Sequence, residues 1–500
     1  MAKKKSGDEM GPLASTGIEG LDDVLRGGLA RNRVFLLEGS PGTGKTTIAL
    51  QFLIEGRRAG ERGLYITLSE TTEELISSAK SHGWSLDGID IFELLPPESL
   101  LDDEQQQSLL YSSDLELGET TKRIFEAFEA AKPDRVILDS LSEIRLLAQS
   151  SLRYRRQILA LKHYFATRNV TVILLDDLTT ETNDKSVHSV AHGVVTLQEL
   201  APDYGADRRR LKVGKYRGQR FRGGFHDFCI KTGGVEVFPR LVSAEHKTGF
   251  RRELLTSKSA ELNALLGGGI ERGSSVLALG PAGSGKSILI LTFVANAIAR
   301  GEKAAIFLFD EERALLVERS KALNFDLDAM LQSGNLVMQQ VDAAELSPGE
   351  FAHSVRKCID SGAKTIVIDS LNGYQAAMPQ EHALLLHMHE LLQYANRQGA
   401  TTFLTVAQHG LVGDMKSPVD LTYLADTVVL LRYFEALGRV RRAISVIKKR
   451  TSAHENTIRE YVIDKRGLTL GQPLANFHGV LRGVPTLVGE DTALLKPETE

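Results

Sequence analysis

Two stretches decide the fold. Gly39–Leu50 reads GSPGTGKTTIAL, and Gly280–Leu291 reads GPAGSGKSILIL. Both match the phosphate-binding pattern G-x-x-x-x-G-K-[ST], in which glycines let successive backbone N–H groups face phosphate oxygens. Each stretch follows a short apolar run and begins a run with helical apolar spacing. Each is therefore predicted to join a buried strand to the N-terminus of a helix, which favours bound anions.

The sequence around these loops is repeated. Leu21 and Leu262 precede the two loops at the same spacing, 241 residues apart. DRVILDS (134–140) matches KTIVIDS (364–370), and RRRLKVGKYRG from Arg208 matches RRAISVIKKRT from Arg441. Three matching segments in one order predict two copies of one domain. The predicted organisation is a flexible tail over 1–14, a first domain over 15–245, a second over 246–482 and a flexible tail over 483–500.

The fold class follows from the alternation inside each copy. RVFLLEG, GLYITLSE, RVILDS and VTVILLDD read as buried strands, with helical patterns between them. Strands that alternate with helices predict an α/β domain with a mainly parallel sheet covered by helices on both faces. Each copy ends in β-rich segments with turn signals, which predict antiparallel strands added at the sheet edge.

The composition argues against several classes of protein function. Of 500 residues, 42% are apolar and 25% charged, with a net charge of −4, which is a globular balance rather than a strongly basic one. Nucleic acid is therefore not the expected partner. The two cysteines, Cys229 and Cys358, lack CxxC spacing, which argues against a disulfide framework or a zinc site. No apolar run or leader pattern indicates a membrane or secretion, so a cytoplasmic location is expected.

The loops predict ATP contacts in both copies. Lys45 and Lys286 are expected to reach the β- and γ-phosphates. The predicted ATP-binding loop residues are Gly39, Ser40, Pro41, Gly42, Thr43, Gly44, Lys45, Thr46 and Thr47 in the first copy, and Gly280, Pro281, Ala282, Gly283, Ser284, Gly285, Lys286, Ser287 and Ile288 in the second.

A Mg²⁺ site is predicted beside each loop. The hydroxyls of Thr46 and Ser287 follow the lysines, where this pattern places a group on Mg²⁺. Asp139 and Asp369 end apolar strands, and the ends of parallel strands meet at the rim that carries the loop. These carboxylates are expected to hold Mg²⁺ through its water shell.

Acidic residues also follow the strand after each loop helix. GLYITLSE ends at Glu70, and AAIFLFDEE contains Asp310 and Glu311. A carboxylate near a γ-phosphate can orient a water or accept a hydroxyl proton, so Glu70, Asp310 and Glu311 are the candidate bases. The alternative is an acidic helix start, since acids favour helix N-termini.

Basic pairs with K-x-R spacing end a late strand in each copy. Lys215 and Arg217 form the first pair, and Lys448 and Arg450 the second. Alternation along a strand places both side chains of a pair on one face. They are candidates for contacting ATP, most usefully that of a neighbouring subunit, although a solvated basic strand end is the alternative.

With ADTVVLLRYFE (425–435) and HENTIREYVID (454–464), these motifs resemble the RecA-superfamily ATPases of the KaiC family. The resemblance runs from about Ser15 to about Gly483. It implies tandem RecA-like domains in a double-ringed homohexamer, with ATP between neighbouring subunits and the K-x-R pairs reaching a neighbour's nucleotide. It also implies slow ATP hydrolysis in the first ring, Ser/Thr autokinase activity in the second, and a regulatory protein that meets the C-terminal tail or a face of the ring.

The chain departs from the family pattern at two places. Clock members carry paired glutamates at the catalytic position, whereas this chain has Ser69–Glu70 and Asp310–Glu311. Glu70 is therefore expected to act alone in the first copy. Clock members also carry a Ser-Thr phosphoacceptor pair where this chain has Thr422 and Tyr423, which become the candidate acceptors. The expected role is a KaiC-like ATPase of signalling or stress regulation rather than an oscillator.

Two other classes remain open. A DNA-dependent ATPase of the RecA or DnaB type would use basic clusters such as RRLKVGKYRGQRFRGG (209–224), and its ATPase activity would rise with single-stranded DNA. A non-catalytic scaffold would bind ATP and leave it unchanged.

Overall fold

The structure is a computed structural model that describes residues 12–94, 109–178, 186–202, 205–246, 248–342, 344–376, 384–408, 422–465, 467–482 and 485–488. It divides into two compact units after Arg240. Within the described residues, no helix combines the length and the apolar character needed to cross a bilayer.

The first unit alternates strands and helices as far as residue 200. Its strands are β1 (Leu13–Ala14), β2 (Leu29–Ala30), β3 (Val34–Gly39), β4 (Gly63–Thr67), β5 (Ile89–Glu93), β6 (Arg135–Asp139), β7 (Thr171–Asp177), β8 (Gly193–Leu200), β9 (Arg208–Tyr216), β10 (Phe225–Lys231) and β11 (Gly234–Phe238). Its helices are α1 (Glu19–Val24), α2 (Lys45–Arg58), α3 (Thr72–Ser81), α4 (Leu109–Ala131), α5 (Leu141–Ala148), α6 (Ser151–Ala166) and α7 (Ser186–Val190).

The second unit repeats this order. Its strands are β12 (Leu254–Leu255), β13 (Ile270–Glu271), β14 (Ser275–Gly280), β15 (Lys303–Leu308), β16 (Leu336–Gln340), β17 (Ala363–Asp369), β18 (Thr401–Ala407), β19 (Thr427–Ala436), β20 (Arg439–Lys449), β21 (Arg459–Asp464), β22 (Gly467–Pro473), β23 (Phe477–His478) and β24 (Thr486–Leu487). Its helices are α8 (Ala260–Leu265), α9 (Lys286–Ala299), α10 (Arg313–Lys321), α11 (Leu327–Gln332), α12 (Pro348–Asp360), α13 (Leu371–Ala376) and α14 (Leu384–Arg397), with short 3-10 turns at Ser243–Glu245 and Val480–Arg482.

The main sheets have one topology. In the first unit the order is β5-β4-β6-β7-β3-β8-β9-β10-β11, and in the second it is β16-β15-β17-β18-β14-β19-β20-β21-β22. In the first unit the six neighbouring strands β5, β4, β6, β7, β3 and β8 are parallel to one another. Strands β9, β10 and β11 follow as antiparallel neighbours. The predicted fold class, two tandem RecA-like α/β domains with antiparallel edge strands, is confirmed.

Both faces of the first sheet are buried because its central strands are apolar on both sides. Every residue of β3 is buried. On one face Phe52 and Leu53 of α2 pack in the core, and on the other Ile158 and Leu161 of α6 do so. This double burial is what the continuous apolar runs predict for a parallel sheet. It holds the carboxyl ends of β3, β4, β6 and β7 along one rim.

The predicted tails differ in part from the structure. Leu13 and Ala14 form β1, which pairs with Leu29 and Ala30, and Ala14 is fully buried. Thr486 and Leu487 form β24, which pairs with β23. Composition does not reveal such two-residue pairings, because their stability comes from the strands they meet. Residues 1–11 and 489–500 of the predicted tails lie outside the described residues.

Two candidate nucleotide sites at the phosphate loops

Both phosphate loops turn into a helix through a glycine in the left-handed region. Gly44 has φ 95° at the N-terminus of α2, and Gly285 has φ 91° at the N-terminus of α9. A Cβ at Gly44 would lie 2.6 Å from Ile230 Cδ1, and one at Gly285 would lie 2.4 Å from Ile463 Cδ1. Glycine is therefore favoured by the backbone angle, and a Cβ at either position would also require the terminal methyl of the neighbouring isoleucine to move.

The ammonium groups of the two loop lysines bind the backbone of their own loops in the same way. Lys45 Nζ donates to the carbonyl oxygens of Gly39 (2.8 Å) and Ser40 (3.0 Å). Lys286 Nζ makes the two equivalent bonds, at 3.0 and 2.9 Å. Burial lowers the pKa of Lys286, and nearby Asp369 opposes that shift. A desolvated cation held over the loop is suited to receive phosphate charge.

In the second unit the predicted metal pair meets directly. Ser287 Oγ donates to Asp369 Oδ2 at 2.7 Å, and Thr405 Oγ1 donates to Asp369 Oδ1 at 2.5 Å. Asp369 ends β17, and Thr405 lies on the adjacent strand β18. A hydroxyl and a carboxylate oxygen at one rim are the hard ligands that Mg²⁺ takes in phosphate sites, so these residues fit the ion.

In the first unit the strand-end aspartate has a different partner. The hydroxyl of Tyr65, on β4, donates to Asp139 Oδ2 and also interacts with the side chain of Thr46. Burial raises the pKa of Asp139, whereas the hydrogen bond from Tyr65 opposes that rise. Asp139 and Thr46 are thus linked through a tyrosine, and their oxygens also fit Mg²⁺.

Glu70 lies just beyond β4, where a turn holds it. Its backbone N–H donates to Thr67 Oγ1 at 2.9 Å, and the same hydroxyl donates to the Glu70 carbonyl at 2.8 Å. Burial raises the pKa of Glu70, and the negative charge of Asp139 adds to the rise. The preceding Ser69 is exposed. The raised pKa favours Glu70 as a proton acceptor near neutral pH.

The second unit places two carboxylates at the corresponding turn. Ser370 Oγ, which follows Asp369, donates to Asp310 Oδ2. Glu311 pairs with Arg319 of α10 at 3.0 Å. Burial raises the pKa of Glu311, while Arg319 opposes the shift. Asp310 therefore lies against the strand end that carries the metal candidate, whereas Glu311 is engaged by a cation.

The K-x-R pairs bind carbonyl groups of their own chain. Lys215 Nζ donates to the carbonyls of His188 (2.5 Å) and Ala191 (2.8 Å), and Arg217 Nη2 donates to that of Ser189 (2.7 Å). Arg217 is otherwise exposed. Lysine and arginine at the carbonyl end of α7 complement the partial negative charge there.

The second pair makes the equivalent contacts. Lys448 Nζ donates to the carbonyls of Thr422 (2.7 Å) and Ala425 (2.8 Å), and Arg450 Nη2 donates to that of Tyr423 (3.3 Å). Arg450 is also exposed. In both units the lysine anchors the turn before a central strand, and the arginine keeps a surface that another chain could meet.

Thr422 and Tyr423, the candidate acceptors, lie on this turn. Thr422 is partly buried, and Tyr423 is 50% exposed. The equivalent contacts of the two K-x-R pairs place His188 and Ser189 at the same positions in the first unit. Ser189 therefore gives the first unit one hydroxyl at the place where the second unit has the candidate acceptors. The segment 409–421 before Thr422 lies outside the described residues.

Two contacts of the first site were not predicted from the sequence. Asp177 Oδ1 lies 2.7 Å from Lys45 Nζ, and Tyr65 bonds to Asp139. The run VTVILLDD carried a signal, since it ends an apolar strand in two acids as ILDS ends in one. Tyr65 carried none, because a tyrosine inside an apolar strand usually indicates core packing.

Two phosphate loops, each followed by a strand-end aspartate on a sheet of the same topology, define a tandem P-loop ATPase. The sequence profile described as "ATPase: KaiC" matches residues 14–242 and 257–475. The chain belongs to the KaiC family of ATPases, as the sequence motifs indicated.

Named relatives match over nearly the whole chain. The circadian clock oscillator protein KaiC of Thermosynechococcus vestitus is 29% identical over 95% of this chain and 92% of its own length. The same values hold for KaiC of Synechococcus elongatus. The circadian clock protein KaiC3 of Synechocystis is 28% identical over 94% of both chains.

Proposed function

We propose that this KaiC-family ATPase binds Mg·ATP at both loops, hydrolyses it in the first unit and phosphorylates its own hydroxyl residues in the second, in signalling or in clock or stress regulation. One observation carries the proposal. In each unit a loop lysine, a loop hydroxyl and a strand-end aspartate lie at one rim of the sheet, in the first unit with Tyr65 between the hydroxyl and the aspartate. Those groups suit a nucleotide phosphate chain and its metal.

The loops would bind and orient the nucleotide. Backbone N–H groups before Lys45 and Lys286 would surround the phosphates, and the two ammonium groups would contact the β- and γ-phosphates. Thr46 with Asp139, and Ser287 with Asp369, would hold Mg²⁺, which supplies neutralising charge to the phosphates when bound. The remaining chemistry belongs to the carboxylates.

Glu70 would act in the first unit as the group that orients and deprotonates the attacking water. Its proton affinity is raised by burial and by Asp139. The water oxygen would bond to the γ-phosphorus, the bond to the ADP oxygen would break, and the water proton would pass to Glu70.

Asp310 is the stronger base candidate in the second unit, because Glu311 is paired with Arg319. The hydroxyl of Thr422 or Tyr423 would attack the γ-phosphorus, ADP would leave, and the hydroxyl proton would pass to the carboxylate. The products are ADP and a phosphorylated chain, so atoms and charge balance.

The assembly we propose is a cytoplasmic homohexamer with ATP between neighbouring subunits. Arg217 and Arg450 are exposed at the ends of equivalent strands, and arginines in such positions can stabilise phosphate charge in another chain. A regulatory protein would meet the C-terminal tail. This assembly rests on the family and on the repeated K-x-R contacts.

The test is the intact mass of the full chain after incubation with Mg·ATP, beside Lys286→Ala. We expect the wild type alone to gain the mass of one phosphate group, mapped to the peptide that contains Thr422. ADP without phosphate gain would remove the kinase assignment and leave an ATPase. Unchanged ATP would support the scaffold, and ADP formation that rises several-fold with single-stranded DNA would support the DNA-dependent class.

A further inference from the structure

The end of β7 brings a carboxylate to the first phosphate loop. Register pairs Gly39, the first loop glycine, with Asp177, the last residue of β7. The Asp177 backbone N–H donates to Ser142 Oγ at 3.3 Å, which fixes the strand end against α5. The Asp177 side chain therefore emerges beside the loop rather than into the sheet core.

This carboxylate is paired with the phosphate-binding lysine. Asp177 Oδ1 lies 2.7 Å from Lys45 Nζ, whose side chain is only 9% exposed. The same ammonium donates to the carbonyls of Gly39 and Ser40. An ammonium has three donors, so these partners use all of them. A phosphate oxygen that approaches Lys45 has to displace one of them.

The second unit has the same frame without the carboxylate. Register pairs Gly280 with Ala407, the residue that corresponds to Asp177. Asn372 takes the place of Ser142 and bonds to both backbone groups of Ala407, at 2.7 and 3.1 Å. The strand end is thus held as firmly, but its side chain is a methyl group. The two units differ at this position by one negative charge.

We propose that Asp177 is an affinity-determining residue of the first site, an internal anion that competes with the nucleotide phosphates for Lys45. It makes the first site bind ADP and ATP more weakly than the second, so the two units exchange nucleotide at different rates. The inference rests on the proposed role of Lys45 as a phosphate ligand. A negative charge beside that ammonium also repels the phosphates, so both effects act in one direction.

The experiment uses the full chain and a fluorescent ADP analogue with Mg²⁺. The first site is measured in a Lys286→Ala background and the second in a Lys45→Ala background. Asp177→Asn keeps the size of the side chain and removes its charge, and Asp177→Glu keeps the charge. Ala407→Asp introduces the carboxylate into the second site. Circular dichroism of each variant checks that the fold is retained.

We expect Asp177→Asn to tighten binding at the first site about tenfold, Asp177→Glu to leave it within about twofold, and Ala407→Asp to weaken the second site about tenfold. Unchanged or weaker binding in Asp177→Asn would overturn the inference, and so would equal affinities of the two sites. First-site binding that survives in a Lys45→Ala, Lys286→Ala double variant would instead contradict the proposed role of Lys45, and the inference would fail with it.

Discussion

The two units share one strand order and one phosphate-loop geometry, but they differ in the carboxylates around the loop. The loop glycines, the lysine contacts and the K-x-R contacts recur almost atom for atom. The first unit has Glu70, Asp139 and Asp177 near its lysine. In the second, Asp369 accepts from two hydroxyls, Asp310 and Glu311 lie at the turn that corresponds to Glu70, and Ala407 stands where the first unit has Asp177. The geometry of the phosphate loop is thus the same in both units, whereas the acidic residues beside it differ.

The turn before β8 and β19 shows the same divergence. The K-x-R lysines bind the carbonyls of His188 and Thr422, and the arginines bind those of Ser189 and Tyr423, so equivalent carbonyls are carried by different residues in the two units. Structural contacts here use backbone groups, which any residue supplies. The side chains at these positions therefore differ between the units while the backbone contacts are the same.

The largest change is expected in ATP hydrolysis by the first unit. Glu70→Gln removes the only base that we propose there, so ADP production in a Lys286→Ala background should fall about 10²- to 10⁴-fold, the range that general bases contribute. Steady-state ADP release measures it. Ser69→Ala changes the exposed neighbour and is the matched control, which should stay within about twofold. Retained hydrolysis in Glu70→Gln would show that another group activates the water.

The next effect separates the two acids of the second unit. Asp310→Asn should lower phosphate incorporation about 10²-fold or more, since a general base is lost. Glu311→Gln should lower it less, because the Glu311 carboxylate is bound to Arg319. Radiolabel from ATP in a Lys45→Ala background measures both. The reverse order of the two variants would assign the base to Glu311.

A smaller effect concerns the partner of Asp139. Tyr65→Phe removes a hydrogen bond that lowers the pKa of Asp139, so the carboxylate should bind Mg²⁺ less well. We expect the Mg²⁺ concentration for half-maximal first-unit hydrolysis to rise about threefold to tenfold. The control is Tyr164→Phe, which removes a 2.7 Å hydrogen bond from Tyr164 of α6 to Glu129 of α4. An unchanged Mg²⁺ dependence would separate Asp139 from the metal.

The smallest change is expected in the pH dependence of ATP hydrolysis by the first unit. Burial and Asp139 raise the pKa of Glu70, and a base acts only when ionised. First-unit hydrolysis should therefore fall as the pH drops through a value above the ordinary glutamate pKa of about 4.3. ADP release in the Lys286→Ala background, measured from about pH 8 downwards, gives this acidic limb. Full activity down to about pH 4.3 would exclude Glu70 as the titrating base.

The fold could be read from the sequence because its signals are local and repeated. The phosphate loops, the apolar strands and the constant offset each predict a piece of the same sheet. The strand-end aspartates were also predictable, since parallel strands bring their carboxyl ends to one rim. The contact between Ser287 and Asp369 lies where that argument places it.

The rest of the site depends on register and side-chain direction, which local patterns do not carry. Asp177 reaches Lys45 only because β3 and β7 align Gly39 with the end of β7. Tyr65 reads as a core residue until Asp139 is placed on the next strand. The direction of Lys215 and Lys448 toward their own chain depends on where the segments before β8 and β19 lie, and the K-x-R spacing does not predict that.

The most direct test of divided chemistry measures two products in two variants. Lys45→Ala and Lys286→Ala are each incubated with labelled ATP, and both ADP release and phosphate bound to the chain are followed. We expect Lys45→Ala to lose most ADP release and keep phosphate incorporation, and Lys286→Ala to lose phosphate incorporation and keep most ADP release. Identical losses of both products in the two variants would contradict it.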